Sequence, residues 1–139
     1  MRLDPDCVRD ILLFIENMNT YVLDEDNDVT LQGAFLEEIS KNLPQYPETQ
    51  LYYTLDKLDE GGFINMTSQW GGSALASCHV SSMTYAGHEF LASIRDSGRW
   101  NVVKGGLSAV KNYSLTAITA IAEGITSGAV SAYLEGLKR

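Results

Sequence analysis

The chain has 139 residues, a formal net charge of −8, and 45% hydrophobic against 20% charged residues. That suits one domain, or one domain with an appendage, and excludes disorder, collagen-like repeats and a disulfide-dense mini-protein. Cys7 and Cys78 make no disulfide framework and the N-terminus carries no apolar signal segment, so a reducing cytoplasm is the expected compartment.

Asp4-Pro5 predicts a helix start, because the carboxylate accepts an orphan amide and proline suits the first helical position. Val8, Ile11, Leu12, Ile15 and Met18 recur at helical spacing and extend this first helix from Pro5 to Met18. The acidic run Asp24 to Asp28 reads as a loop, and Phe35, Leu36 and Ile39 as a short second helix that stops before Pro44. Pro47 opens a third helix with Leu51, Leu55 and Leu58 inward, and Gly61-Gly62 closes it with left-handed backbone. Extended stretches from about Phe63 to Trp70 and Ala74 to Met83 flank Gly71-Gly72 and predict a β-hairpin. Thr84 caps a fourth helix that turns Phe90, Leu91 and Ile94 inward and ends near Asp96 to Gly98.

Three helices, a hairpin and a further helix are the order of a winged-helix domain, a helix-turn-helix variant. The expected fold is α+β and mostly helical. A winged-helix domain with a β-hairpin wing covers residues 1–100, and a linker with a long C-terminal helix covers residues 101–139.

The opening Met1-Arg2-Leu3-Asp4-Pro5-Asp6-Cys7-Val8-Arg9-Asp10-Ile11-Leu12-Leu13 carries a resemblance. So does the later His79-Val80-Ser81-Ser82-Met83-Thr84-Tyr85-Ala86-Gly87-His88-Glu89-Phe90-Leu91, with Ile94-Arg95-Asp96 and Trp100. Together these residues resemble a family of short bacterial, prophage and phage proteins known as domain of unknown function 2513, over residues 1–104. The resemblance implies a small mobile-element protein and brings no reaction or site residue with it.

Charge is distributed unevenly. Residues 24–60 hold ten acids and two bases, the whole imbalance, whereas residues 61–87 contain no Asp, Glu, Lys or Arg. Outward positions of the third helix fall near Gln50, Tyr53, Asp56, Lys57 and Glu60, one cation beside two carboxylates, and the wing adds no cation. Non-specific affinity for a duplex comes mostly from neutralised phosphates, so this surface disfavours DNA. The alternative, a DNA-binding regulator, would use Lys57, Arg95, Arg99 and Lys104, the last three gathered with Lys111 around Trp100 at the basic end of the fourth helix. Trp100 itself reads as core.

Catalytic and metal chemistry are not expected. Cys78 and His79 are strand neighbours and point to opposite faces, Cys7 reads as a buried structural thiol, and the two Cys and two His lack paired ligand spacing. The glycine doublets lack a phosphate-loop ending, and the paired carboxylates at Glu37-Glu38 and Asp59-Glu60 sit in polar surroundings. The expectation is a non-enzyme without cofactor.

From Leu107 to Leu137 the pattern is one long helix with Val110, Leu115, Ile118, Ile121, Ile125, Val130 and Leu134 apolar. Small residues recur at every fourth place, including Ala120, Gly124, Gly128 and Ala132. Glycine inside a helix costs about 1 kcal/mol relative to alanine, a cost that close approach of another helix offsets. This stripe is the expected self-association face. Packing back on its own domain is the second possibility, and membrane insertion is disfavoured because Glu123 at mid-span costs about 2.5 to 3.5 kcal/mol. Partner contacts are expected at Tyr46, Tyr53, Asp56, Glu60 and Trp70, with Tyr52 among the same aromatics, on an unidentified host or phage protein. An acidic surface of this kind could also imitate DNA toward a nucleic-acid-binding protein.

Overall fold

A computed structural model describes residues 1–127 of the chain. In order, the elements are α1 (Pro5–Met18), β1 (Thr20–Leu23), β2 (Val29–Gln32), β3 (Ala34–Phe35), α2 (Leu36–Asn42) and α3 (Glu48–Glu60). They continue with β4 (Ile64–Gly71), β5 (Ala74–Met83), α4 (Tyr85–Ile94), α5 (Ser97–Val110) and α6 (Leu115–Ser127). The fold is mostly helical α+β, with a two-stranded ribbon β1-β2 and an antiparallel sheet in the order β3-β5-β4.

α1 starts as its residues dictate: Asp4 Oδ1 accepts the Asp6 amide at 3.0 Å, and Pro5 takes the first helical position. Its buried stripe of Cys7, Val8, Ile11, Leu12 and Ile15 joins Leu51, Leu55 and Leu58 of α3 in the core. α3 ends where the Gly62 and Phe63 amides reach back to the Asp59 and Leu58 carbonyls, and Gly62 supplies the left-handed step at φ +80°. The chain then enters β4. Ile64, Cys78, Val80 and Met83 complete the core from the sheet. Thr84 Oγ1 accepts the Gly87 amide at 3.1 Å and donates to the Gly62 carbonyl at 2.6 Å, tying the start of α4 to the end of α3. A Cβ at Gly87 would lie 2.1 Å from the Phe63 carbonyl oxygen, so glycine is what lets α4 seat against the start of β4.

Two regions depart from the sequence reading. The acidic run is a loop as expected, but it is the tight turn of a hairpin whose strands, β1 and β2, the sequence reading did not anticipate. Asp24 Oδ1 accepts the amides of Asp26 and Asp28 at 2.9 Å each, and Asn27 adopts φ +62°. Asn19 pins the base of this ribbon, its Nδ2 donating to the Gln32 carbonyl at 3.0 Å and to the Ser81 carbonyl at 2.9 Å.

The second departure is the tail. In place of a linker and one helix from Leu107, Asp96 caps α5 through the Arg99 amide at 2.8 Å, and Trp100, Val103 and Leu107 continue a buried stripe. Lys111 closes α5 at φ +56°. Ser114 then starts a separate α6, its Oγ accepting the Ala117 amide at 3.1 Å. Gly106 allows the two helices to meet closely, since a Cβ there would lie 3.1 Å from Ile121 Cγ2. Ile118 and Ala122 are buried, so this part of the tail packs on its own domain.

Candidate functional site

The outward face of α3 and the end of the β4-β5 hairpin enclose a groove of about 460 Å³. With Leu51, Leu55 and Leu58 buried, the helical period sends Tyr52, Tyr53 and Asp56 to the other side, where Asp56 lies one turn beyond the tyrosines. From the hairpin, Trp70 and its cross-strand partner Leu75 line the same groove. Tyr52 meets Trp70 edge-to-face with centroids 5.8 Å apart, and its hydroxyl donates to Ser68 Oγ at 3.2 Å. Trp70 is 54% exposed. Leu36 extends the apolar wall, and the ionisable side chains at the groove besides the tyrosines are two carboxylates, Glu48 and Asp56. The groove is therefore aromatic with an acidic rim.

Of the residues expected to contact a partner, Tyr53, Asp56 and Trp70 come together here. Glu60 lies next door, lining a cavity of about 590 Å³ with Tyr53, Lys57 and Tyr113. Tyr46 does not join them. It is half-buried, its hydroxyl donates to Asp10 Oδ2 at 2.6 Å, and burial with that carboxylate raises its pKa. Tyr52, also among the expected aromatics, joins Tyr53, Asp56 and Trp70, and the structure adds Leu75 to the sequence-derived set.

The expected nucleic-acid cations are placed differently. Lys57 Nζ lies 3.0 Å from Glu60 and 5.6 Å from the Tyr53 ring centroid, and the Glu60 carboxylate holds the ammonium above its ordinary pKa. Arg95 grips Glu16 of α1 with two guanidinium nitrogens and holds that carboxyl below its ordinary value. Lys104 pairs with Asp6 at 3.3 Å, and Asp6 also accepts the Trp100 indole N–H at 2.8 Å. Arg9 donates to the last carbonyls of α4, those of Ile94 and Arg95, at 2.9 and 2.6 Å. Arg99 is half-buried and lines a cavity with Glu89 and Glu123. This cluster joins α1 to α4 and α5, with Trp100 buried at its centre.

On the tail stripe, Ala120 is exposed and Gly124 half-buried, while Gly128 and Ala132 lie outside the described residues. Cys7 and Cys78 are free and buried, and burial pushes the Cys7 thiol up to about 11. Cys78 turns into the core while His79 packs against the Phe35 ring at a tilt, centroids 4.7 Å apart, so the neighbours occupy opposite faces of β5. Asp24, Asp26 and Asp28 bring carboxylate oxygens within 4.8 Å of one another, a spacing that could hold a cation. Asp24 already accepts two amides of its own turn.

The family model described as Hypothetical protein (DUF2513) matches residues 2–114. That span includes the groove and the β1-β2 ribbon and ends at the start of α6. No curated protein and no solved structure gives a significant match.

Proposed function

We propose that this chain, which belongs to the DUF2513 family, is a non-enzymatic protein-binding module whose α3–hairpin groove receives an apolar segment flanked by cations. The observation that carries the reading is the groove's lining: Tyr52, Tyr53, Trp70 and Leu75 with Glu48 and Asp56 on the rim. A winged-helix reading of the domain supports the choice of surface. With the inserted β1-β2 ribbon set aside, the order α1, β3, α2, α3, β4, β5 and the sheet order β3-β5-β4 support reading α3 as the recognition helix and β4-β5 as the wing. The surface that would face a duplex then offers aromatics and carboxylates in place of phosphate-binding cations. The phage or prophage setting rests on the family resemblance alone.

A DNA-binding regulator is the rival, and the pairing of Lys57, Arg95 and Lys104 with carboxylates weighs against it. Self-association through α6 belongs to the same proposal, because Thr116 and Ala120 face outward while Ile118 and Ala122 face inward. Gly124→Leu should then lower the solution mass measured by light scattering. For the groove, a pull-down from host lysate should retain a protein that is lost with Tyr53→Ala plus Trp70→Ala. Recovery of nucleic acid, undiminished in that variant, would replace this reading with the rival.

A further inference from the structure

The β1-β2 ribbon is amphipathic in a way the groove does not explain. Its register pairs Tyr21 with Leu31 and Leu23 with Val29. Cross-strand partners and alternate residues share a face, so these four apolar side chains form one side, and Thr20, Val22, Thr30 and Gln32 form the other. The apolar side is open to solvent: Tyr21 is 72% exposed, Val29 69%, Leu23 65% and Leu31 39%. A two-stranded hairpin alone is marginal in water, yet this one is held in shape by the Asp24 turn and by Asn19 at its base. A rigid arm with an uncovered apolar face is shaped for contact with another molecule.

The surrounding charge selects that molecule. Four carboxylates, Asp24, Glu25, Asp26 and Asp28, crowd the tip, and no Lys or Arg lies between Arg9 and Lys41. Such a tip repels nucleic acid and anionic lipid surfaces. A second copy docking hairpin to hairpin would bring the same four acids and no cation from residues 10–40. We infer that the β1-β2 hairpin is a second docking arm that lays Tyr21, Leu23, Val29 and Leu31 against an apolar strip of a protein partner rimmed by Lys or Arg. This inference stands independently of the α3–hairpin groove.

The probe is a synthetic peptide of alternating leucine and lysine, titrated into the isotope-labelled full chain at low salt. Amide shift changes confined to residues 19–33 are expected. Affinity should fall about tenfold in Leu23→Ser with Val29→Ser, and by a similar factor on raising ionic strength. Both substituted side chains are exposed, so an unchanged thermal midpoint verifies that the variant is folded. Shift changes centred on Tyr53 and Trp70 would assign the peptide to the groove and overturn the arm. Undiminished binding by the double variant, or no binding at all, would do the same. A dimer of the peptide-free chain that Leu23→Ser dissociates would make a second copy the occupant, and binding to anionic vesicles would make it lipid; either result overturns the proposal.

Discussion

The α3–hairpin groove and the junction of α1 with α4 and α5 use similar side chains to opposite ends. At the junction, Trp100 is buried with its indole N–H on Asp6, Arg95 is held by Glu16, Lys104 by Asp6, and Arg9 by the end of α4. In the groove, Tyr52 and Trp70 touch each other, yet Trp70 remains more than half exposed. Basic residues that look available in the sequence serve the fold, while Trp70, expected at a partner surface, is left largely uncovered in the groove. Recognition here follows from which side chains the fold has left without a full set of neighbours.

The contrast is sharpest between the two tryptophans. Trp100→Ala should cost about 3–5 kcal/mol, the range for emptying a buried aromatic site, and should lower the unfolding midpoint in denaturant accordingly. Gly87→Ala comes next. It forces a methyl onto the Phe63 carbonyl oxygen and should cost about 1–3 kcal/mol as α4 is displaced from β4, read by the same titration.

Arg95→Gln should act weakly and with a definite pH signature. The fold holds the Glu16 carboxyl below its ordinary value of 4.5, so the folded state binds fewer protons than the unfolded one through that range. The stabilisation is complete above the ordinary value and is lost as pH falls through the lower folded one. Parent and variant should therefore differ slightly in thermal midpoint at neutral pH and converge on acidification, the effect being small because Arg95 is solvent-exposed. Trp70→Ala should change stability least, by about 1 kcal/mol or less, while removing the retained protein in the pull-down. A large stability loss there would make the groove part of the core and erase the contrast.

Much of the fold could be read locally. Asp4-Pro5, the α1 stripe, Gly61-Gly62 and Thr84 are short-range signals, and each marks the element boundary expected of it. The α6 start was also local, in Ser114, but continuous apolar spacing across Lys111 outweighed it. Around the β1-β2 turn, strands of four residues were too short for alternation to stand out beside five consecutive polar residues. Half of the groove was legible, because helical spacing alone turns Tyr53 and Asp56 outward. Leu75 was not, since its pairing with Trp70 follows an irregularity between Gln69 and Trp70. The ion pairs were hidden for a different reason: Arg95 and Glu16 are 79 positions apart, a closeness that only the packing of α4 on α1 creates.

The central claim is that the α3–hairpin surface is built for a protein and not for a duplex. Its most direct test is the fluorescence anisotropy of a labelled random-sequence DNA duplex titrated with the full chain at low salt, where counterion release favours any basic surface most strongly. The account predicts no saturable rise. Saturable binding that disappears when Lys57, the one cation of α3, is changed to Glu would contradict it.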